Sequence, residues 1–349
     1  MSISLTSATS IPASGFGLSS ITFVSDYDGV NFLIGGASDE YTGTEVKVYY
    51  VEEESSTLLI YNGTVNAACM LSDGTIVFDD NTGVIWHKSI SSPIDLYSLQ
   101  NDPTPSGKLT TLADTQVTEI KPDSSDNLYV CVNNMAGSDG QVFLLAAPYY
   151  SKSLLFERIS GNYAIYTVGM HPDGIIYDDS YPYTATTPKY IRLFSDGSSS
   201  TKYTSSSTST PMQTLGIAVA SNGDVYYTME KDLMRLNYSN SWSSSTIDTL
   251  SSRSAGIVLL SNGVIYAEDA DNMVTYTSDG LYGGYFYANY TSPVNDSSDS
   301  SSDNPLLLDL DGDGEFTQDD AKQLSLTLGP LMWILMFMVF FMVALGSRR

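Results

Sequence analysis

The chain of 349 residues has only two cysteines, two histidines and fifteen lysines and arginines. Two cysteines make neither a disulfide framework nor a cysteine-rich zinc site. Cys69 and Cys131 lie in the apolar runs AACML and LYVCV, where each reads as a small buried hydrophobe. His87 follows Trp86 at the end of a strand-like run, and His171 precedes Pro172-Asp173-Gly174 at a turn, so packing is the expected role of both. Against fifteen basic residues stand forty acidic ones, a net charge of −25 that would repel a phosphate backbone. Nucleic acid is therefore excluded as a partner. No Gly-x-Ser-x-Gly elbow, phosphate loop or dinucleotide fingerprint stands in a fitting context. The opening MSISLTSATSIPASGFG has neither a basic start nor a continuous apolar stretch, so it is not expected to act as a secretory signal.

What the sequence has in abundance is Tyr, Ser, Thr and Val, with 25 Tyr and 27 Gly. β-Branched and aromatic residues broken up by glycine predict many short strands joined by tight turns, an all-β domain. One phrase recurs: apolar residues, Ser or Pro, Asp or Asn, usually Gly, then apolar and aromatic residues again. It appears as FVSDYDGVNF, CMLSDGTIVF, IKPDSSDNLYV, MHPDGIIY, VASNGDVYY and LLSNGVIY, around Gly29, Gly74, Asn127, Gly174, Gly223 and Gly263. These positions lie 40 to 53 residues apart, the spacing of one four-stranded blade. Asp-Gly and Asn-Gly pairs supply the positive φ of a tight hairpin. Third strands are expected at GVIWHKS, QVFLLAA, KYIRLFSDG, DLMRLNYS and NMVTYTSDG, with polar segments such as STIDTLSS at the rim.

On these residues the chain resembles the NHL-type and related six-bladed β-propellers over roughly residues 15 to 290. The resemblance implies a six-bladed β-propeller at 1–290. It also implies a rival reading, a membrane-tethered enzyme of the hydrolase or lyase class with a metal in the central channel held by acids and amides from different blades.

Residues 291–305, with the tract TSPVNDSSDSSSDN, lack apolar side chains that could offset the entropy of ordering, and read as a flexible stalk. In 306–327 follows the most specific motif, DLDGDGEFTQDD. Asp309, Asp311 and Asp313 at positions one, three and five, Gly314 at six and Asp320 at twelve match an EF-hand-type calcium loop. With Asp at position twelve it resembles the half-hand of dockerin modules. That resemblance implies Ca2+ bound by the side chains of Asp309, Asp311, Asp313 and Asp320, the carbonyl of Glu315, and Thr317 directly or through water. From 328 to 346 the chain reads LGPLMWILMFMVFFMVALG, uncharged and about 28 Å long as a helix, enough to span a bilayer. A basic tail, 347–349, closes it.

The sequence thus predicts a propeller, a short calcium loop and helix, and one C-terminal transmembrane helix. No enzymatic activity is expected. The expected role is structural display and binding, as a spike or vertex component of a virion or cell surface serving attachment or assembly. A virion reconciles a propeller left on the cytosolic side of the membrane with a surface role. The partners would be the lipid bilayer, other surface or capsid proteins, and a carbohydrate or protein receptor. The aromatic run from Tyr282 to Tyr290 could stack on sugars, and Asn62, Asn237, Asn289 and Asn295 stand in glycosylation sequons.

Overall fold

The computed structural model describes residues 6–277 apart from 38–39, 113–114, 124, 135–139, 158–163, 180–188, 206–213, 230, 252–253, 255, 262 and 270–271. Each of the six phrases forms a hairpin. Gly29, Gly74, Gly223 and Gly263 sit at φ near +80°, where a Cβ would be strained. In the third unit the left-handed residue is Asp126, at φ 59°, rather than Asn127. The longer turn there is carried by Asp123, whose carboxylate accepts the amides of Ser125 and Asn127 at 2.8 and 3.0 Å.

The hairpins are the inner halves of six sheets. The first contains Phe23–Asp26, Phe32–Ala37, Thr44–Tyr50 and Ser55–Tyr61, with the short strand Ile94–Asp95 added in parallel at its outer edge. The second contains Ala68–Met70, Thr75–Asp79, Val84–Ser89 and Lys108–Thr111. The third runs through Thr115–Pro122, Leu128–Asn134, Gln141–Ala146 and Ser151–Glu157, and the fourth through Val168–His171, Gly174–Asp179, Tyr190–Ser195 and Ser198–Thr204. Thr214–Val219, Val225–Met229, Asp232–Asn237 and Ser243–Thr249 form the fifth. In the sixth, Ile257–Leu259, Val264–Asp269 and Asn272–Thr277 are completed by the N-terminal strand Thr6–Pro12, which pairs antiparallel with Asn272–Thr277. Chain closure by the first strand was not among the sequence expectations. The predicted third strands and the rim strand in STIDTLSS fall where the repeat placed them.

The longest interval between phrases, from Gly74 to Asn127, has a local cause. Between the third and fourth strands of the second sheet the chain leaves to place Ile94–Asp95 on the neighbouring sheet. It then turns through a short helix, Leu96–Gln100, whose first turn is capped by Asp95 accepting the Ser98 amide at 3.2 Å.

Burial grades from hub to rim as the composition of the strands requires. Thr75–Asp79 and Val225–Met229 are buried throughout, whereas Ser198–Thr204 and Ser243–Thr249 are mostly exposed. Apolar packing lies between sheets rather than within one. Six clusters of buried residues each join one sheet to the next, for example Leu33 and Val48 of the first with Ile76 and Phe78 of the second. The sixth sheet returns to the first through Val258, Tyr266 and Met273 against Val24, Phe32 and Tyr49. The innermost strands also follow one another around a closed circle. Glycine permits their close approach. A Cβ at Gly216 would lie 2.5 Å from the Ile257 amide, and one at Gly169 only 2.7 Å from Ile217 Cγ2. Cys69 and Cys131 are buried free thiols, as expected of small hydrophobes, and burial pushes both well above the ordinary thiol range.

Candidate functional site: the central channel

Two residues at the ends of inner strands bring charge to the axis. Asp26 ends Phe23–Asp26, and Lys121 is the penultimate residue of Thr115–Pro122. Both line a cavity of about 100 Å³ at the hairpin end of the channel. Its remaining wall is mainly apolar and comes from five of the six blades, including Val24, Met170, Ile217, Val219, Ile257 and Leu259.

Lys121 Nζ donates to the Ile217 carbonyl at 2.7 Å, which ties blade three to blade five across the axis. It also lies 3.8 Å from the carboxylate of Glu119, two residues back and therefore on the same face of the strand. Glu119 accepts the Thr167 hydroxyl at 3.1 Å, and burial raises its pKa. Asp26 accepts the amide of Gly29 at 2.7 Å. Burial nevertheless pushes Asp26 up to about 6, with Asp28 adding to the rise and the Gly29 amide and Lys121 opposing it. The cavity therefore presents one acid and one basic side chain against mainly apolar walls, with Glu119 the counter-ion of Lys121 behind that lining.

A second set of acids does structural work around the hub. Asp79 accepts the amides of Asn66 and Ala67, both at 2.8 Å, and that of Asn81 at 3.0 Å, fixing the loop that leads into the second blade. Asp178 holds Tyr166 and Thr167 in the same way at 2.7 and 2.9 Å. Asn133 grips Ile165 from both sides, accepting its amide at 3.0 Å and donating to its carbonyl at 3.1 Å. His171 accepts the Asp173 amide on Nδ1 at 3.0 Å, and its Nε2 lies 3.0 Å from the Gly223 carbonyl of the next blade. Tyr238 and Trp242 pack on its ring, so His171 is the turn-packing residue the sequence predicts. His87 packs beside Tyr150.

Burial also drives Asp79 up to about 6, above the 3.8 of an unburied aspartate, despite its hydrogen bonds. Between those two values the folded chain holds more protons than the unfolded one at Asp26 and Asp79. Stability from these groups is fully present below about 3.8 and is lost as pH rises through about 6. Lowering the pH from 7.5 to 5 should therefore raise stability by roughly 1 kcal/mol per carboxyl. Urea midpoints measured at the two pH values check this, and Asp26→Asn should remove its share of the difference.

The predicted calcium ligands Asp309, Asp311, Asp313, Glu315, Thr317 and Asp320, the apolar run 328–346 and the Tyr282–Tyr290 cluster lie outside the described residues. Among the described residues no helix is long and apolar enough to cross a membrane, and no group of three or more His, Cys, Asp or Glu is placed to hold a metal ion. Sequence reasoning missed Lys121, and it treated Asp26 only as part of a turn phrase.

A closed ring of six sheets, each inner strand bordering a common channel, defines a six-bladed β-propeller. Solved structures are similar to this chain in fold. A calcium-binding regucalcin from Agrobacterium tumefaciens matches with a TM-score of 0.56 at 9% identity, over 80% of this chain and 96% of that one. A protein assigned as a gluconolactonase matches at 0.54 and 11% identity, over 79% of this chain and 93% of that one. The WD40 propeller domain of Doa1 matches at 0.53 and 11% identity, over 79% and 98%. Likeness at such low identity shows the fold alone. The sequence matches no family model and no curated protein.

Proposed function

We propose that this chain is a membrane-anchored display protein whose propeller binds rather than catalyses, serving attachment or assembly at the surface of a virion or cell. The observation that carries the binding reading is the chemistry of the channel. A Lys121 ammonium stands among its lining side chains and is paired with Glu119. A divalent cation on the axis would meet that fixed positive charge at short range. The apolar walls suit recognition of a small ligand or side chain better than a cage of carboxylates around a metal.

The anchor reading is supported by the uncharged run 328–346, and the calcium reading by the spacing of Asp309, Asp311, Asp313 and Asp320. Calcium would brace the stalk close to the bilayer. The full chain should float with liposomes through alkaline extraction, and a chain ending at Thr327 should not. Isothermal titration should find one calcium site per chain, lost in Asp313→Ala. Turnover of lactones or phosphoesters by the purified chain, abolished by chelation, would favour the enzyme reading and overturn the binding one.

A further inference from the structure

The cavity at the hairpin end of the channel presents one carboxylate and one ammonium against apolar walls. Its volume of about 100 Å³ is that of about three waters at roughly 30 Å³ each, room for a small ligand only. Each charged side chain keeps a protein partner that fixes its direction: Gly29 for Asp26, and the Ile217 carbonyl for Lys121. Neither charge directly neutralises the other, since the close ionic partner of Lys121 is Glu119. Lys121 has three donors, gives one to the Ile217 carbonyl and holds Glu119 only at 3.8 Å, so it can still take a carboxylate, and a zwitterion is the ligand that engages it and Asp26 at once.

We propose that this cavity is a binding site for a small zwitterion, an amino acid or betaine with a compact apolar body. Its cationic end pairs with Asp26, its carboxylate with Lys121, and its body packs on Val24, Ile217 and Ile257. The proposal deepens the binding reading of the propeller and rests on it. The charged groups bearing on Asp26 are Asp28 on its own turn and Lys121 from the third blade. A bound cation favours the ionised Asp26, so affinity falls as pH drops below about 6, the value to which burial pushes Asp26 in the free protein.

The test is isothermal titration of the full chain in mild detergent with glycine betaine and L-alanine, using acetate and methylammonium as half-ligands. Both zwitterions should bind at pH 7.5, the half-ligands about tenfold more weakly or worse, and affinity should fall at pH 5. Asp26→Asn keeps an oxygen for the Gly29 amide, and Lys121→Gln keeps a donor for the Ile217 carbonyl, so both are designed to preserve the local fold. Each should weaken binding at least about tenfold. Absence of heat with either zwitterion, equal binding of the half-ligands, or unchanged affinity in both variants would overturn the proposal. If a variant fails to fold, the half-ligand and pH comparisons on the unmodified chain decide alone. Lactone turnover in the same preparation would overturn the binding reading itself, whereas a silent titration without turnover would remove only the zwitterion.

Discussion

Replacing Asp224 with alanine should destabilise the propeller by about 3–5 kcal/mol, because it leaves the Arg235 guanidinium partly buried without its counter-charge. Asp224 is fully buried at the hairpin of the fifth blade. One of its oxygens accepts Arg235 Nε at 2.9 Å, a second Arg235 nitrogen and the Asn222 amide at 2.9 Å; the other accepts the Tyr238 backbone amide at 2.8 Å. Its neighbour Gly223 presents the carbonyl facing His171 of the fourth blade, so the loss would reach across a blade boundary. A domain with about 5–15 kcal/mol in total cannot lose this much and stay fully folded on mild heating. Urea unfolding followed by tryptophan fluorescence would measure the change, since Trp242 packs beside His171 and Tyr238. Asp224→Asn should cost nearly as much, because it keeps the shape and loses the charge. The pair Asp224→Asn with Arg235→Met should recover part of the loss. Equal stability of Asp224→Ala and the unmodified chain would remove this ion pair from the account.

Removing residues 1–12 should have a larger effect. Thr6–Pro12 is the outermost strand of the sixth blade, and its pairing with Asn272–Thr277 joins the two ends of the folded ring. Without it the Asn272–Thr277 strand keeps one neighbour, Val264–Asp269, and exposes an unpaired edge. Ile11 is also lost from the cluster that joins the sixth blade to the first. The truncated chain should lose a single cooperative transition in calorimetry and associate in size-exclusion chromatography. A separate peptide spanning residues 1–14, added in excess, should restore the transition if edge pairing is the cause. A truncated chain that melts as one sharp, monomeric unit would show that the six inter-blade clusters hold the ring without this strand.

The blade count was legible in the sequence because each inner hairpin requires a residue that tolerates positive φ, and Gly or Asp supplies it at all six turns. The grading of strands was legible for a similar reason: Ser198–Thr204 and Ser243–Thr249 contain almost nothing worth burying. The channel was not. Inner strands such as Thr75–Asp79 are buried on both faces, so hydrophobic alternation carries no sign of which side chains face the axis. Asp26 belongs to a turn phrase rich in acids, and only its place in the cavity wall separates it from acids such as Asp73, whose carboxylate accepts the Thr75 amide within its own turn. Lys121 sits in IKPDSSDN, where a lysine before a turn looks like any solvated charge. The N-terminal strand was illegible because its partner lies about 270 residues away, and local pattern says nothing about pairing at that distance. The inserted helix Leu96–Gln100 showed itself only as one interval that was too long.

The pairing of Thr6 with Thr277 also fixes the moment at which the protein can be completed. At synthesis rates of roughly 5–20 residues per second, the first strand waits on the order of 15–50 s for its partner to emerge. Five blades can assemble during that time while the sixth cannot, and the first blade presents its unsealed side to the cell throughout. The apolar run 328–346 reaches the outside of the ribosome later still. Ring closure thus becomes possible before that run emerges, and a factor that holds the first strand during the wait would decide the yield of closed rings.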